Sequence, residues 1–386
     1  MPNMLEGIKV LDLTTVVFGP YATQTLADMG AEVIKVEAPG GDVMRWAGQP
    51  AKTPAMGPVH LTLNRGKRSI LLDLKTDDDK ATMRDLIAQS DVFIHNIRGK
   101  AIEALGFGYA AVKAIRPDIV YVHCVGFGSD GPYADLQAYD DIIQAATGTA
   151  TLAGRVDGQG RPRYVPSLIA DKVAGLHGAY AVLGALIHKL RTGEGQFVEV
   201  PMFEAFAHFM LKEHLFGDTF EPPVGTVGYP RQLDPHRQPF PTSDGYISIV
   251  PYTDGAIVTL FEVLERPDLM AEERFDTPMK RAMGMSDIYR LIGELTPART
   301  TADWLERLHA ARLPAIAVRD LADITEDPHL GVSFFRHREH PTEGAILDMA
   351  PPVRFGVSVA EPTPASMLGA DGDNIRAELA QGRDAS

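Results

Sequence analysis

Between residues 8 and 127 the chain alternates short apolar runs with amphipathic stretches, and this alternation constrains its fold more than any other feature. The runs are "IKVLDL" (8–13), "AEVIKVE" (31–37), "RSILLDL" (68–74), "DVFIHN" (91–96) and "IVYVHCVGF" (119–127). Helical patterns separate them: "PYATQTLADMG" (20–30), which stops at a glycine, a stretch over 78–89, and a short one near 100–105. Apolar runs spaced by helices imply βαβ units and a parallel sheet covered on each face. A longer helix over 172–191 stops at the glycine-rich "TGEGQ", and "FVEVPM" (197–202) returns as a strand.

After about residue 220 the pattern breaks. Residues 220–245, "FEPPVGTVGYPRQLDPHRQPFPTSDG", are dense in proline and glycine and read as a linker or loop. "YISIV" (246–250) and helical patterns at 256–264, 285–295 and 300–312 predict a smaller mixed domain. The expected class is therefore α/β, with a large parallel-sheet domain over 1–205, a linker over 206–245 and a small α+β domain over 246–327. Residues 328–386 carry prolines and short strands.

The formal charge of −14 argues against nucleic acid and against an anionic membrane surface as partners. A polyanionic small ligand would need a local cluster of cations. The single cysteine, Cys124, sits inside a strand pattern and reads as a buried, inert thiol, so a reducing compartment is expected. The N-terminal "MPNMLEGIKVLDL" lacks the pattern of a secretory signal. The longest apolar stretch, "VAGLHGAYAVLGALIH", is short for a membrane span and reads as a buried helix. The expected location is the cytoplasm, with no membrane partner.

Several chemistries lack their motif. The loop after the first strand, "TTVVFGP", holds one glycine, Gly19, where a dinucleotide fingerprint needs three, and Glu37 alone is a weak ribose signal. Phosphate loops, H-E-x-x-H, paired C-x-x-C and the G-x-S-x-G elbow are absent, and twelve histidines lie without ligand spacing, so no metal is expected. Arg65, Lys67, Arg68 and Lys75 surround one strand, and Arg98 and Lys100 follow another. They read either as a phosphate-holding group or as a solvated, charged rim. Asp140 and Asp141 precede an apolar helix and read as a cap. Asp171, in "PSLIADKVAGLHGA", stands at the mouth of the long helix. The residues alone make it a cap held ionised by the helix dipole. The nearly bare face behind it (Ala174, Gly175, Gly178, Ala179) lets another backbone or a ligand come close.

Five ordered segments carry a resemblance: "LEGIKVLDLTTVVFGPYATQTLADMGAEVIKVEAPGGD", "LNRGKRSILLDLK", "AYDDIIQAATG", "AD…GLHGAYAVLGAL" and "TGEGQFVEVPMFEA". Together they resemble the class III CoA-transferases (the CaiB/BaiF type), the family of formyl-CoA:oxalate and carnitine CoA-transferases. The resemblance implies a Rossmann-like large domain to which the C-terminal segment returns, and a ring-like chain forming an interlocked homodimer. It makes Asp171 the nucleophile and coenzyme A a co-substrate alongside an acyl donor and a carboxylic acid. It assigns CoA contacts to Val16, Phe18, Lys75, Asn96, Ile97, Arg98 and Leu105, and places Tyr139 and Asp140 near the nucleophile. Val17 and Val59 stand where formyl-CoA:oxalate enzymes carry glutamine and tyrosine, which suggests a larger acyl group with an apolar stem. The loop over 222–245 carries Arg231, His236 and Arg237, which suggests a dicarboxylate. The alternatives are an acyl-CoA 2-racemase of the same family, whose histidine position falls on Tyr139, and a CoA-binding protein without catalysis.

Overall fold

The five apolar runs and the returning strand form one sheet. A computed structural model describes residues 3–356 and 361–384. In chain order its first elements are β1 (Lys9–Leu13), α1 (Phe18–Asp28), β2 (Glu32–Glu37), α2 (Pro58–Asn64), β3 (Lys67–Leu71), α3 (Asp77–Ala88), β4 (Val92–His95), α4 (Gly99–Leu105) and α5 (Tyr109–Ile115). Next come β5 (Val120–Val125), α6 (Asp140–Ala146), α7 (Leu152–Val156), α8 (Ile169–Thr192), β6 (Phe197–Pro201) and α9 (Met202–His214). The six strands run in the order β3-β2-β1-β4-β5-β6, and every pair is parallel. This is the doubly wound Rossmann order, and its direction reverses between β1 and β4, where such sheets open a crevice for ligands.

Side-chain alternation explains why both faces are covered. Val10, Val33, Val92 and Val120 point to one face and pack with Phe18, Ala22 and Leu26 of α1 and Ala174, Val182 and Leu186 of α8. Leu11, Phe93 and Tyr121 point to the other and meet Leu86 of α3, Ile102 of α4 and Val112 of α5. Local signals start the helices. The Thr76 hydroxyl accepts from the Asp79 N–H at 3.3 Å, and Asp77, Asp78 and Asp79 fill the positive first turn of α3.

The remaining elements are β7 (Phe240–Pro241), β8 (Tyr246–Ile249), α10 (Asp254–Val263), α11 (Pro278–Met283), α12 (Met285–Leu295), α13 (Thr301–Ala310) and β9 (Ala315–Ala317). They are followed by α14 (Leu330–Ser333), β10 (Phe335–His340), β11 (Gly344–Met349) and α15 (Gly372–Asp384). The chain divides into two units. One holds residues up to Thr149, Tyr164–Met210 and the chain from Pro328 onward; the other holds Ala150–Arg163 and Leu211–Asp327. In the first unit α15 packs Ile375 and Leu379 into the core under α3. The second unit has its own core of Phe240, Ile247, Phe261, Ile292, Trp304 and Leu308, beside the antiparallel sheet β7-β8-β9.

The division departs from the expected boundaries in two places. Residues 150–163, expected in the large domain, belong to the second unit. Of the stretch expected to be a linker, residues 211–245 belong there too and contribute β7, because Phe240 is apolar enough to enter that core, while residues 206–210 stay in the first unit.

Candidate active site

The loop between β1 and α1 is pinned from below by buried charge. Asp12, fully buried in β1, accepts from the Thr14 N–H (2.8 Å), from the Thr14 and Thr23 hydroxyls, and from the Lys67 ammonium at 3.2 Å. Lys35 donates to the Thr14 carbonyl (2.7 Å) and pairs with Asp42 at 3.0 Å. Asp42 in turn accepts the Val16 N–H at 3.1 Å. Asn96, just past β4, exchanges two hydrogen bonds with Thr15 across the switch point, at 3.0 and 2.8 Å. So held, Val16 adopts φ +72°, a strained position for a β-branched residue.

Above this loop lies a cavity of about 1310 Å³, lined among others by Val16, Phe18, Asn96, Arg98, Tyr139 and Asp171. Asp171 is 6% exposed. It is the third residue of α8, whose N-cap is Leu168, so it does not cap its own helix. Its N–H is bonded instead by Asp140 Oδ1 at 3.0 Å, and Asp140 is itself buried at the start of α6. One aspartate therefore caps the helix that carries the other.

The expected ionised state is also corrected. Burial, then the charge of Asp140, pushes the Asp171 carboxyl up to about 7, against a smaller pull from the Phe18 N–H. Deprotonation through this range controls any nucleophilic role. The expected result is an acid limb of kcat/KM centred near pH 7, falling tenfold per pH unit below it. A limb centred near pH 4, as for an exposed carboxylate, would contradict this geometry.

The small residues behind Asp171 serve packing. A Cβ on Gly175 would lie 2.9 Å from the Phe18 carbonyl oxygen, and one on Gly178 would lie 3.2 Å from the Ala22 Cβ. They let α8 approach α1, so the space for a ligand is in front of the helix.

Other expected site residues lie elsewhere. Val17 is the buried N-cap of α1, and Val59 sits half-buried in α2; neither is among the residues lining the cavity. Ile97 and Leu105 pack against the core on the α3–α5 face, and the Ile97 carbonyl bonds His123 Nε2 at 2.9 Å. Lys75 is exposed beyond β3 and is not among the residues lining the cavity. The other three cations around β3 are held in ion pairs. Lys67 pairs with Asp12, Arg65 with Asp28 and Asp348, and Arg68 with Glu32 and Glu378. Lys100 does line the cavity and pairs with Asp135, both highly exposed.

In the second unit Arg231 donates to the Tyr289 hydroxyl at 2.8 Å and stacks over Tyr252. Arg237 bonds Gln232, and the His236 N–H bonds Asp234. Cys124 is buried beside the cavity, where desolvation pushes its thiol up, as an inert group requires. Sequence patterns did not single out Gln144, which bonds Asp140 at 2.7 Å; its signal was the Asp–Gln spacing of four residues within one helix turn.

The wider sequence and fold match known proteins. The pattern of CoA-transferase family III matches residues 5–372. A succinate–glutarate CoA-transferase of Agrobacterium fabrum is 31% identical over 98% of this chain and 97% of its own. A succinyl-CoA:mesaconate CoA-transferase of Haloarcula hispanica is 34% identical, covering 84% of this chain and 83% of its own. The crystal structure of a CAIB/BAIF family protein from Brucella suis superposes with a TM-score of 0.83 at 30% identity, covering 98% of this chain and 100% of that one. The chain belongs to CoA-transferase family III and is a transferase of coenzyme A between carboxylic acids.

Proposed function

We propose that Asp171 is the nucleophile of this transfer and that the acceptor is a short dicarboxylic acid. An Asp171 oxygen attacks the donor thioester carbonyl; the C–S bond breaks, giving a mixed anhydride and CoA thiolate. The thiolate attacks the aspartyl carbonyl, releasing the donor acid as carboxylate and leaving an aspartyl-CoA thioester. The acceptor carboxylate displaces the thiolate to form a second anhydride. The thiolate then attacks the acceptor carbonyl, yielding the new acyl-CoA and free Asp171. No step needs a net proton, and each keeps an activated acyl group. Burial serves the sequence twice: it makes the carboxylate more basic, hence more nucleophilic, and it limits hydrolysis of the anhydrides.

The observation that carries this reading is a carboxylate only 6% exposed that nonetheless opens on the cavity. The acceptor class rests on the two relatives named above for succinate, glutarate and mesaconate, all dicarboxylates. The proposal includes CoA binding across Val16, Phe18, Asn96 and Arg98, a cytoplasmic setting, and the interlocked homodimer that the family resemblance implies. The outward face of α8 supports association, since Leu176, Tyr180, Ile187 and Leu190 are exposed along it. The test is a matrix of succinyl-, glutaryl- and formyl-CoA donors against short mono- and dicarboxylic acids, with peptide mass analysis of stalled enzyme. Dicarboxylates should outperform monocarboxylates of equal length by about tenfold in kcat/KM, and the adduct should sit on the Asp171 peptide. Equal rates for both acid classes would remove the dicarboxylate assignment, and α-proton exchange without an adduct would point to a racemase.

A further inference from the structure

Gln144 lies one turn after Asp140 on α6 and is fully buried. Its amide nitrogen donates to Asp140 Oδ2 (2.7 Å) and to the carbonyls of Val165 (3.2 Å) and Ser167 (3.3 Å). Its amide oxygen accepts the Val165 N–H at 2.8 Å. Both ends of the amide are satisfied, as burial of so polar a group demands. Residues 164–168 form the solvent-exposed entry to α8. Among the described residues, Gln144 is the only side chain from outside this entry and α8 that bonds its backbone. Asp140 then divides its two oxygens, one to Gln144 and one to the Asp171 N–H.

We propose that Gln144 is a positioning residue of the transfer reaction, fixing Asp140 and the entry of α8 together so that the Asp171 carboxylate stays at the angle its attack requires. This rests on Asp171 being the nucleophile. The geometry leaves few alternatives for holding that angle. The 164–168 entry has no core side chain of its own, Asp140 has no cationic partner among the described residues, and Leu168 at the N-cap of α8 makes no side-chain cap, which leaves that role to Asp140. A displacement of the nucleophile by about 1 Å is enough to cost two orders of magnitude in rate. Asp140 bonds the Asp171 N–H, and the other titratable groups that line the cavity with Asp171 are Arg98, Lys100 and Glu103 after β4, Tyr109, Tyr121, His123 and Cys124 on α5 and β5, Asp135 and Tyr139 before α6, and Glu199 on β6. Of these, Asp140 is the one that Gln144 touches.

The experiment compares wild type with Gln144→Met and the near-isosteric Gln144→Glu, using the best donor–acceptor pair in steady state and single turnover, with melting curves alongside. Both variants should lose about ten- to hundredfold in kcat and in the rate of adduct formation, with KM for the acyl-CoA changed less than about twofold. Gln144→Glu, which adds charge beside Asp140, should also move the acid limb of kcat/KM upward by about half a unit or more. The inference is overturned if both variants keep kcat within about twofold and the acid limb in place, or if KM absorbs the whole loss. It is also overturned if neither variant folds, because a structural role then accounts for the residue. An adduct missing from the wild-type Asp171 peptide sinks the nucleophile assignment itself; a wild-type adduct with unaffected variants removes only the role of Gln144.

Discussion

Asp171→Ala is expected to lower CoA transfer by about 10⁴-fold or more while leaving the fold and acyl-CoA binding in place. The size of the effect follows from what Asp171 is asked to do. Every step of the proposed sequence makes or breaks a bond to an Asp171 oxygen or to its carbonyl carbon, so no neighbouring group can share the loss. Asp140 cannot substitute, because one of its oxygens is committed to the Asp171 N–H and the other to Gln144. The substitution removes a buried carboxyl and leaves the backbone N–H bonded to Asp140, so the mouth of α8 stays closed. The readouts are single-turnover transfer, acyl-CoA affinity by calorimetry, and hydroxylamine trapping of the acyl-enzyme, which wild type should give and the variant should not. A variant that keeps more than a tenth of wild-type turnover would end the covalent mechanism.

The second large effect is on stability. Lys67→Met should destabilise the first unit by about 3–5 kcal/mol, because it strands the fully buried Asp12 carboxylate without its cation. Two further bonds go with it: Lys67 also donates to the Pro20 carbonyl and to Asn64 Oδ1, each at 2.9 Å. Urea unfolding measures the loss. The double variant Asp12→Asn/Lys67→Met should regain more than half of it, since no unpaired charge then remains. A solvent-exposed pair would cost about 0–1 kcal/mol, so a loss that small would show that the pair is not buried in solution.

These two positions mark how far the sequence could be read. All six strands of the sheet are legible, because each is a short, largely apolar run bounded by turn residues. The helices α1, α3 and α8 are legible for the same reason. The seven-residue α2 and α5 are not, and neither is α15, which is polar except where Ile375 and Leu379 enter the core. Asp171 reads as a cap from its neighbours and as a nucleophile only through the family resemblance. The structure removes the first of these roles by giving the cap to Asp140. Lys67 reads as a phosphate-holding or rim cation because nothing in its spacing announces Asp12, 55 residues earlier in the chain and adjacent only once β1 and β3 are laid into one sheet. The two valines lie outside the cavity lining for a related reason: a position shared with a family does not fix which way the side chain faces.

The contact between α1 and α8 has a consequence for how such an enzyme can diversify. Gly175 leaves no room for a Cβ against the Phe18 carbonyl, and Val16, at positive φ, donates its N–H to Asp42. Nucleophile and loop are thus locked by backbone contacts that tolerate no added atom. New acid preferences must then arise in the other walls of the cavity, on α4 and the 129–139 segment, where Lys100, Asp135 and Tyr139 are exposed. A mutant library aimed at a different acid belongs there, because substitutions along the seam would break the shared chemistry before they changed its object.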